Sequence, residues 1–368
     1  MRALSVLQVL PELETGGVER GTLEIAQALV AEGHRSTVLS NGGRLVKALT
    51  DNGSQHITLP VHKKSLLSLR LVPHIRELLI DQDVVHVRIR MPAWLVYLAW
   101  RRMNPEQRPA LVSTVHGLYS INRYSAVMSK GERVIAISEA VKTYILENYG
   151  TPEDRITLIH RGVADAEFPR GFKPSPDWIA RFEAEYPDTR GRILLAMPGR
   201  VTRWKGHETF IELIGNLSRR VNVHGLIIGA AAENKQRFNT ELKQLCWRLG
   251  IEDRVSFLGN RNDMRELYGH SDMAFNLSTH AEPFGRTVIE AMSIGCPVVS
   301  WDYGGPAESV RALFPQGLVE PHDFDGLVAT CMDLINRPEQ IPAENTFLVS
   351  NMQRETLAVY QDVVAARA

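Results

Sequence analysis

The chain has 368 residues, 44% hydrophobic and 23% charged, and its 42 basic residues balance 42 acidic ones. That length is generous for one core and comfortable for two domains, and a net charge of zero gives no support to a general nucleic-acid role. The three cysteines, Cys246, Cys296 and Cys331, are too few for a disulfide framework and have no metal spacing, so they read as core thiols of a reducing compartment.

Residues 1–10 lack a signal-peptide layout and read as a first buried strand over 4–10. A glycine-containing turn, TGGVER, follows, then helical spacing over 21–32 and a stop at Gly33. A second strand is expected over 36–40. The alternation continues with a helix over 66–80, a strand over 84–87, a helix over 93–102 and a strand over 111–115 that ends at His116. A strand over 134–137, a helix over 139–149 and a strand over 156–159 close the set. This order is the opening of a doubly wound α/β domain. Residues 161–192 change character, broken by Gly162, Pro169, Gly171, Pro174, Pro176 and Pro187 around a short helix, and read as the interdomain segment. A second α/β set begins with a strand over 193–197 and a basic loop, PGRVTRWKGH. Further strands are expected over 223–228, 255–258, 273–277 and 297–300, with helices over 207–220, 236–249 and 264–269. A last helix covers 346–366. No apolar run reaches the ~18–20 residues of a membrane span.

In such sheets ligands bind beyond the carboxyl ends of the strands. The richest strand end is HAEPFGRTVIEAM, residues 280–292, which opens a helix. Its backbone N–H groups and dipole suit an anion. Two acids stand beside that anion site, Glu282 in the loop and Glu290 two turns in. They make sense as hydroxyl binders on a ribose and a sugar, which suggests a sugar nucleotide. Arg200 and Lys205, in the basic loop after residues 193–197, suit a diphosphate and could stabilise a departing nucleoside diphosphate. Arg203 lies between them, and the sequence does not decide which cations point inward. Gly16 and Gly17 allow backbone to approach an anion, although the G-x-G-x-x-G fingerprint is missing. His116, at a strand's carboxyl end, could donate to a sugar hydroxyl or support developing charge. Gly304 and Gly305, in DYGGPAES, could also bring backbone close to a ligand. Asp81 and Asp83 have the spacing of a metal clamp but precede a strand, at the wrong end for the cleft. No paired His/Cys set, P-loop or G-x-S-x-G appears.

One feature lies outside this pattern. Residues 1–150 carry 18 basic against 13 acidic side chains. Within them Lys63, Lys64, Arg70 and Arg76 interleave with Leu66, Leu67, Leu69, Leu71 and Val72, and Arg88, Arg90, Arg101 and Arg102 flank PAWLVYLAW. Such basic amphipathic segments suit an anionic bilayer.

Taken together, TGGVER, STVHG, VIAISEAVKTYI, IHRGV, PGRVTRWKGH, VSFLG, EPFGRTVIEAMSIGCPVVS and DYGGPAES resemble a family-4 glycosyltransferase almost end to end. VRIRMPAW and YSAVMSKGERVIAIS resemble a bacterial subgroup associated with lipopolysaccharide core and other envelope glycans. The resemblance implies the GT-B fold: two Rossmann-like domains facing a central cleft, the last helix crossing back to the first domain. The implied divisions are an acceptor domain over 1–165, a linker over 166–191, a donor domain over 192–345 and the returning helix over 346–368. It implies retaining transfer from a UDP- or GDP-linked sugar to a glycan or glycolipid, with no metal or other cofactor required. Arg200 and Lys205 would contact the diphosphate and Glu290 the ribose. Glu282 would meet the sugar, and Phe284, Gly285, Arg286 and Thr287 would supply N–H groups or line the donor. His116 would assist the transition state, Gly16 and Gly17 would line the phosphate side, and Arg261 would lie near the base. The expected setting is the cytoplasm, or the cytoplasmic face of the inner membrane. A sugar-nucleotide epimerase and a non-catalytic nucleotide-sugar binder remain the alternatives.

Overall fold

The structure, a computed structural model, describes residues 2–14, 16–230, 236–337 and 340–367, so Thr15 of TGGVER lies outside the described residues. The chain forms two compact units, Met1–Arg161 with Val349–Ala368, and Gly162–Leu348.

The first unit is built on seven strands: β1 (Ser5–Val9), β2 (Arg35–Ser40), β3 (Gln55–Thr58), β4 (Val84–Val87), β5 (Ala110–Val115), β6 (Arg133–Ala136) and β7 (Ile156–Leu158). They pair in the order β3-β2-β1-β4-β5-β6-β7, all parallel. The inner strands are buried along most of their length because a parallel sheet is covered on both faces, whereas β3, QHIT at the edge, is only partly buried. Strand order reverses between β1 and β4, which opens a crevice beyond their carboxyl ends. Asp83 anchors the opposite end: its Oδ2 accepts the Ser5 N–H at 2.7 Å and its Oδ1 pairs with Arg2. It is a strand-start staple.

Three local readings change. The first helix, Gly17–Ala31, starts four residues before the expected Gly21, so Gly17 is helical, and it closes on Gly33 at φ 79°. Helix Val46–Asp51 and strand β3 were not foreseen. The helix expected over 66–80 divides into a 3₁₀ turn, Leu66–Leu71, and an α-helix, Val72–Leu79. Pro73 is the cause: it has no N–H to donate backward, so it belongs in a first turn.

Helix Val349–Ala365 also belongs to this unit. Its Met352, Leu357, Tyr360 and Val363 share one buried cluster with Leu4, Val6, Ile25, Leu29 and Val112.

The second unit holds six strands: β8 (Ile193–Pro198), β9 (Val223–Ile228), β10 (Val255–Gly259), β11 (Met273–Asn276), β12 (Val298–Trp301) and β13 (Leu318–Val319). Their order is β10-β9-β8-β11-β12-β13, again parallel, and it reverses between β8 and β11. Helices Pro176–Glu185, His207–Leu217, Gln236–Leu249, Met264–His270, Arg286–Ile294, Gly304–Leu313 and Phe324–Asn336 accompany them. Residues 162–192, read from the sequence as interdomain, are woven into this unit. Val163 donates to the Phe347 carbonyl at 2.9 Å, Gly171 to Ile294 at 2.8 Å, and Trp178 stacks on Phe182 with ring centres 5.0 Å apart.

Candidate active site

In the second unit β8 runs into a loop that ends in the short turn Arg203–Lys205. Gly206, at φ 82°, then starts helix His207–Leu217. A Cβ on Gly206 would lie 1.9 Å from the Leu277 carbonyl oxygen, so only glycine lets this loop rest on the end of β11. The Thr279 N–H donates to the Trp204 carbonyl at 2.7 Å and fixes the approach.

This docking brings Lys205 Nζ to 2.6 Å from Glu282 Oε1, with side chains only 16% and 9% exposed. Asn276 Nδ2 donates to the same oxygen at 2.9 Å, and so does the Ser278 hydroxyl. The Tyr303 hydroxyl donates to the Ser278 carbonyl and holds that residue in turn. Three donors therefore converge on Oε1, while Oε2 takes no partner among the described residues. A buried carboxylate is tolerable only when a cation and hydrogen bonds offset its lost hydration, and here both are supplied.

Around this pair the glycines serve the fold. The Gly305 N–H donates to the Glu282 carbonyl at 2.9 Å, and a Cβ at 305 would sit 2.5 Å from Phe284 Cα. Of the two readings of Gly304 and Gly305, close approach to a ligand or a plain turn, the structure shows them making room for the Glu282–Phe284 loop. Gly285, at φ 86°, caps helix Arg286–Ile294, where a Cβ would meet Pro306 Cγ at 2.7 Å. On that helix Arg286 Nε lies 2.9 Å from Glu290 Oε1, one turn on. Phe284 turns its ring into the core against Phe347, 6.3 Å between centres, so its ring does not face a ligand. Thr287 is half-buried in the same turn.

The cations separate in a way the sequence could not decide. Arg200 is exposed and forms no ion pair among the described residues. Arg203 turns outward, pairs with Glu241 and with Glu208 at 3.6 Å, and lies over the Phe238 ring. Arg261 is held by Asp263 at 2.7 Å and Glu185 at 3.3 Å, contacts that raise its pKa and lower that of Asp263. Asp263 also accepts the Trp178 indole N–H at 2.9 Å. The Arg261 guanidinium is thus engaged by carboxylates of its own unit.

In the first unit Gly16 and Gly17 lie at the N-terminus of helix Gly17–Ala31. Arg161 Nη2 donates to the Gly17 carbonyl at 2.5 Å and comes within 3.9 Å of Glu24. A Cβ on Gly21 would fall 2.1 Å from that guanidinium, so Gly21 makes room for it. His116 follows β5. Its backbone N–H donates to the Tyr119 hydroxyl at 3.4 Å, and its buried Nε2 has no partner among the described residues. Burial, then the Arg161 and Arg88 charges, hold the imidazole well below its ordinary range, so it is neutral near pH 7.

Behind His116 lies a polar ladder that the sequence reading missed. Gln8 on β1 is in register with His86 on β4. Arg88 donates twice to Gln8 Oε1, at 3.0 and 2.5 Å, and Gln8 Nε2 donates to the Thr22 carbonyl at 3.2 Å. His86 bonds the Tyr360 hydroxyl through Nδ1 at 2.6 Å and Thr114 Oγ1 through Nε2 at 2.7 Å. The available signal was a polar residue interrupting each apolar strand, in SVLQV and VVHVR. Asn276 and Ser278, in AFNLS, carried the same signal in the second unit. Among the described residues no three His, Cys, Asp or Glu side chains gather as metal ligands would.

Two family descriptions match consecutive parts of the chain: Glycosyltransferase Family 4 over residues 15–167 and Glycosyl transferases group 1 over residues 180–345. A glycosyltransferase structure from Rickettsia africae superposes with a TM-score of 0.85 at 29% identity, covering 99% of each chain. The lipopolysaccharide core biosynthesis mannosyltransferase LpsB of Rhizobium meliloti is 27% identical over 263 residues, 67% of this chain and 68% of that one. Anabaena HepE, solved in complex with UDP-glucose, shares the fold with a TM-score of 0.76 at 22% identity over 99% of each chain.

Proposed function

The chain is a glycosyltransferase of the GT-B type, and from that premise we propose that it moves a sugar, with retention and without a metal, from a nucleoside-diphosphate sugar to a glycan or glycolipid acceptor. The observation that carries this reading is the Lys205–Glu282 pair at the carboxyl ends of β8 and β11. A diphosphate offers Lys205 a second anion, and exposed Arg200 adds charge on the same loop. Glu282 stays fixed by Asn276 and Ser278 with Oε2 open to a donor-sugar hydroxyl. Glu290 is positioned by Arg286 for the ribose hydroxyls, and the backbone around Gly285 and Thr287 offers N–H groups at a helix N-terminus. The donor reading also has the support of a UDP-glucose complex in a protein of the same fold.

In the reaction we propose, the acceptor hydroxyl attacks the sugar's anomeric carbon on the face that the diphosphate leaves. The acceptor C–O bond forms, the anomeric carbon–phosphate oxygen bond breaks, and the hydroxyl proton passes to the departing phosphate oxygen. The protein supplies positioning and charge rather than a strong base. His116, neutral, donates to the sugar and supports the developing charge, and Gly16 and Gly17 line the phosphate side. Lipopolysaccharide core or another envelope glycan is the pathway we infer, from the similarity to the Rhizobium enzyme. The cytoplasm, or its membrane face, is the matching location.

The test is a thermal-shift screen of UDP- and GDP-linked sugars in the presence of a chelator, followed by transfer assays with the donor that binds. One donor should stabilise the fold in proportion to its affinity. Absence of a shift with every nucleotide sugar would sink the reading. Isolation of a covalent sugar–enzyme adduct on the turnover path would overturn the same-face mechanism alone.

A further inference from the structure

The 3₁₀ turn Leu66–Leu71 inverts the usual arrangement of polar and apolar residues. Ser68 is buried, its hydroxyl donating to the Lys63 carbonyl at 2.8 Å, while Leu66, Leu67 and Leu69 are 86%, 64% and 47% exposed. The turn is not loose: the Ser65 hydroxyl caps it by accepting the Leu67 N–H at 3.2 Å. A rigid element that hides its serine and shows three leucines violates the local rule that natural sequences keep, and such breaks concentrate at functional surfaces.

Beside it lies an open apolar groove of about 620 Å³, walled by Leu66, Leu69, Met91, Trp94, Leu98 and Tyr124. That volume is within the usual range for a small-molecule site, about 300–1,000 Å³. Its aromatic wall is fixed, because the Trp94 indole N–H donates to the Tyr124 carbonyl at 2.8 Å. Its rim is cationic. Lys64 lines it, Lys63 precedes, and the Arg90 guanidinium lies over the Tyr124 ring at 5.5 Å. The same guanidinium covers the Tyr119 ring at 4.5 Å and donates to Ser125 at 3.1 Å. Tyr119 in turn accepts the His116 N–H. A short relay of contacts, Tyr124 to Arg90 to Tyr119 to the His116 backbone, therefore joins the groove to the residue that carries the candidate catalytic imidazole, within one unit.

We propose that this groove holds a single hydrocarbon chain of a lipid-linked acceptor, with the acceptor's anionic head at Lys64 and Arg90, on the His116 side. The assignment to an acceptor rests on the glycosyl-transfer reading. The chemistry of the groove itself, apolar walls under a basic rim, selects an anionic amphiphile. A bare anion would leave the leucines unused, and an uncharged hydrocarbon would leave the cations unused.

The experiment uses the full chain and dodecyl phosphate below its micelle concentration, with inorganic phosphate and phosphatidylglycerol vesicles as parallel arms. A diazirine at the alkyl end reports the bound position by cross-linking and peptide mapping. The expected result is saturable binding of dodecyl phosphate, none of inorganic phosphate, and cross-links to the residues of the groove. Leu66→Asp and Leu69→Asp, both at exposed positions, should each weaken that binding at least about tenfold, a change of roughly 1.4 kcal/mol, without altering the circular dichroism spectrum. Unchanged binding in both variants overturns the proposal. So do cross-links elsewhere, or binding to vesicles with none to the monomeric amphiphile, which would make the leucines a bilayer contact. Thermal shift with UDP and GDP sugars in the same samples is a separate readout: its failure would count against sugar transfer and would leave the groove result standing.

Discussion

The two units answer the same problem differently at the same place in the fold. Each is a doubly wound parallel sheet whose strand order reverses next to its first strand, and each gathers polar groups beyond that point. The second unit uses ion pairs, Lys205 with Glu282 and Arg286 with Glu290. The first unit hides its cation Arg88 against the neutral Gln8 amide and keeps His86 and His116 uncharged. An ion pair can exchange partners when an anionic ligand arrives. The ladder pairs its one cation with a neutral amide, has no anion to exchange, and holds its side chains in place. The difference assigns adaptable charge to the proposed donor side and fixed geometry to the unit that carries His116.

The sharpest way to break this comparison is Lys205→Ala. It strands Glu282 among neutral donors, so stability should fall by about 3 kcal/mol in urea denaturation, the cost of breaking a buried pair. Nucleotide-sugar affinity should drop roughly a hundredfold, about 2.7 kcal/mol, by calorimetry. Lost stability with unchanged affinity would make the pair purely structural.

Mild acid is next. Burial holds His207 at about 4 against an ordinary 6.5. The unfolded chain therefore takes up this proton first, and the stabilisation is complete above 6.5 and is lost as pH falls toward 4. By pH 5 His207 alone should cost about 2 kcal/mol. His224, also held at about 4, together with His86 and His116 acts in the same direction. Melting curves between pH 7 and 5 check this; a flat profile would mean these imidazoles are hydrated.

Tyr360→Phe should then cost about 1 kcal/mol by removing the His86 hydrogen bond while keeping the ring. If the ladder fixes His116, the variant should lower kcat more than it raises the donor KM. Arg203→Ala should do least. Its carboxylate partners are at the surface, so a change under about 0.5 kcal/mol and unaltered donor affinity are expected.

Much of the fold was legible because parallel strands announce themselves as short apolar runs and helices as 3.6-residue spacing. Helix Glu139–Tyr149 has the limits expected, since Ser138 caps it and Gly150 turns left-handed after it. Helix Val46–Asp51 and β3 were illegible because both are short and β3 is only partly buried. At the site, residue types were readable and partnerships were not. Glu282 and Lys205 stood out as acids and cations at strand ends, but their pairing depends on Gly206 fitting against Leu277, a contact that no local pattern records. The His86–Tyr360 bond spans 274 positions of sequence and had no local signature at all.

The way the chain is divided also sets an order of assembly. The second unit is one uninterrupted stretch, whereas the first needs helix Val349–Ala365 to cover Val6, Ile25 and Val112 and to deliver Tyr360 to His86. A ribosome emits the chain from the amino end, so the sheet that begins first is finished last. Its apolar face waits through the synthesis of nearly two hundred further residues, Gly162–Leu348. The ladder behind His116 is thus among the last features to form, since its Tyr360 arrives on the final helix.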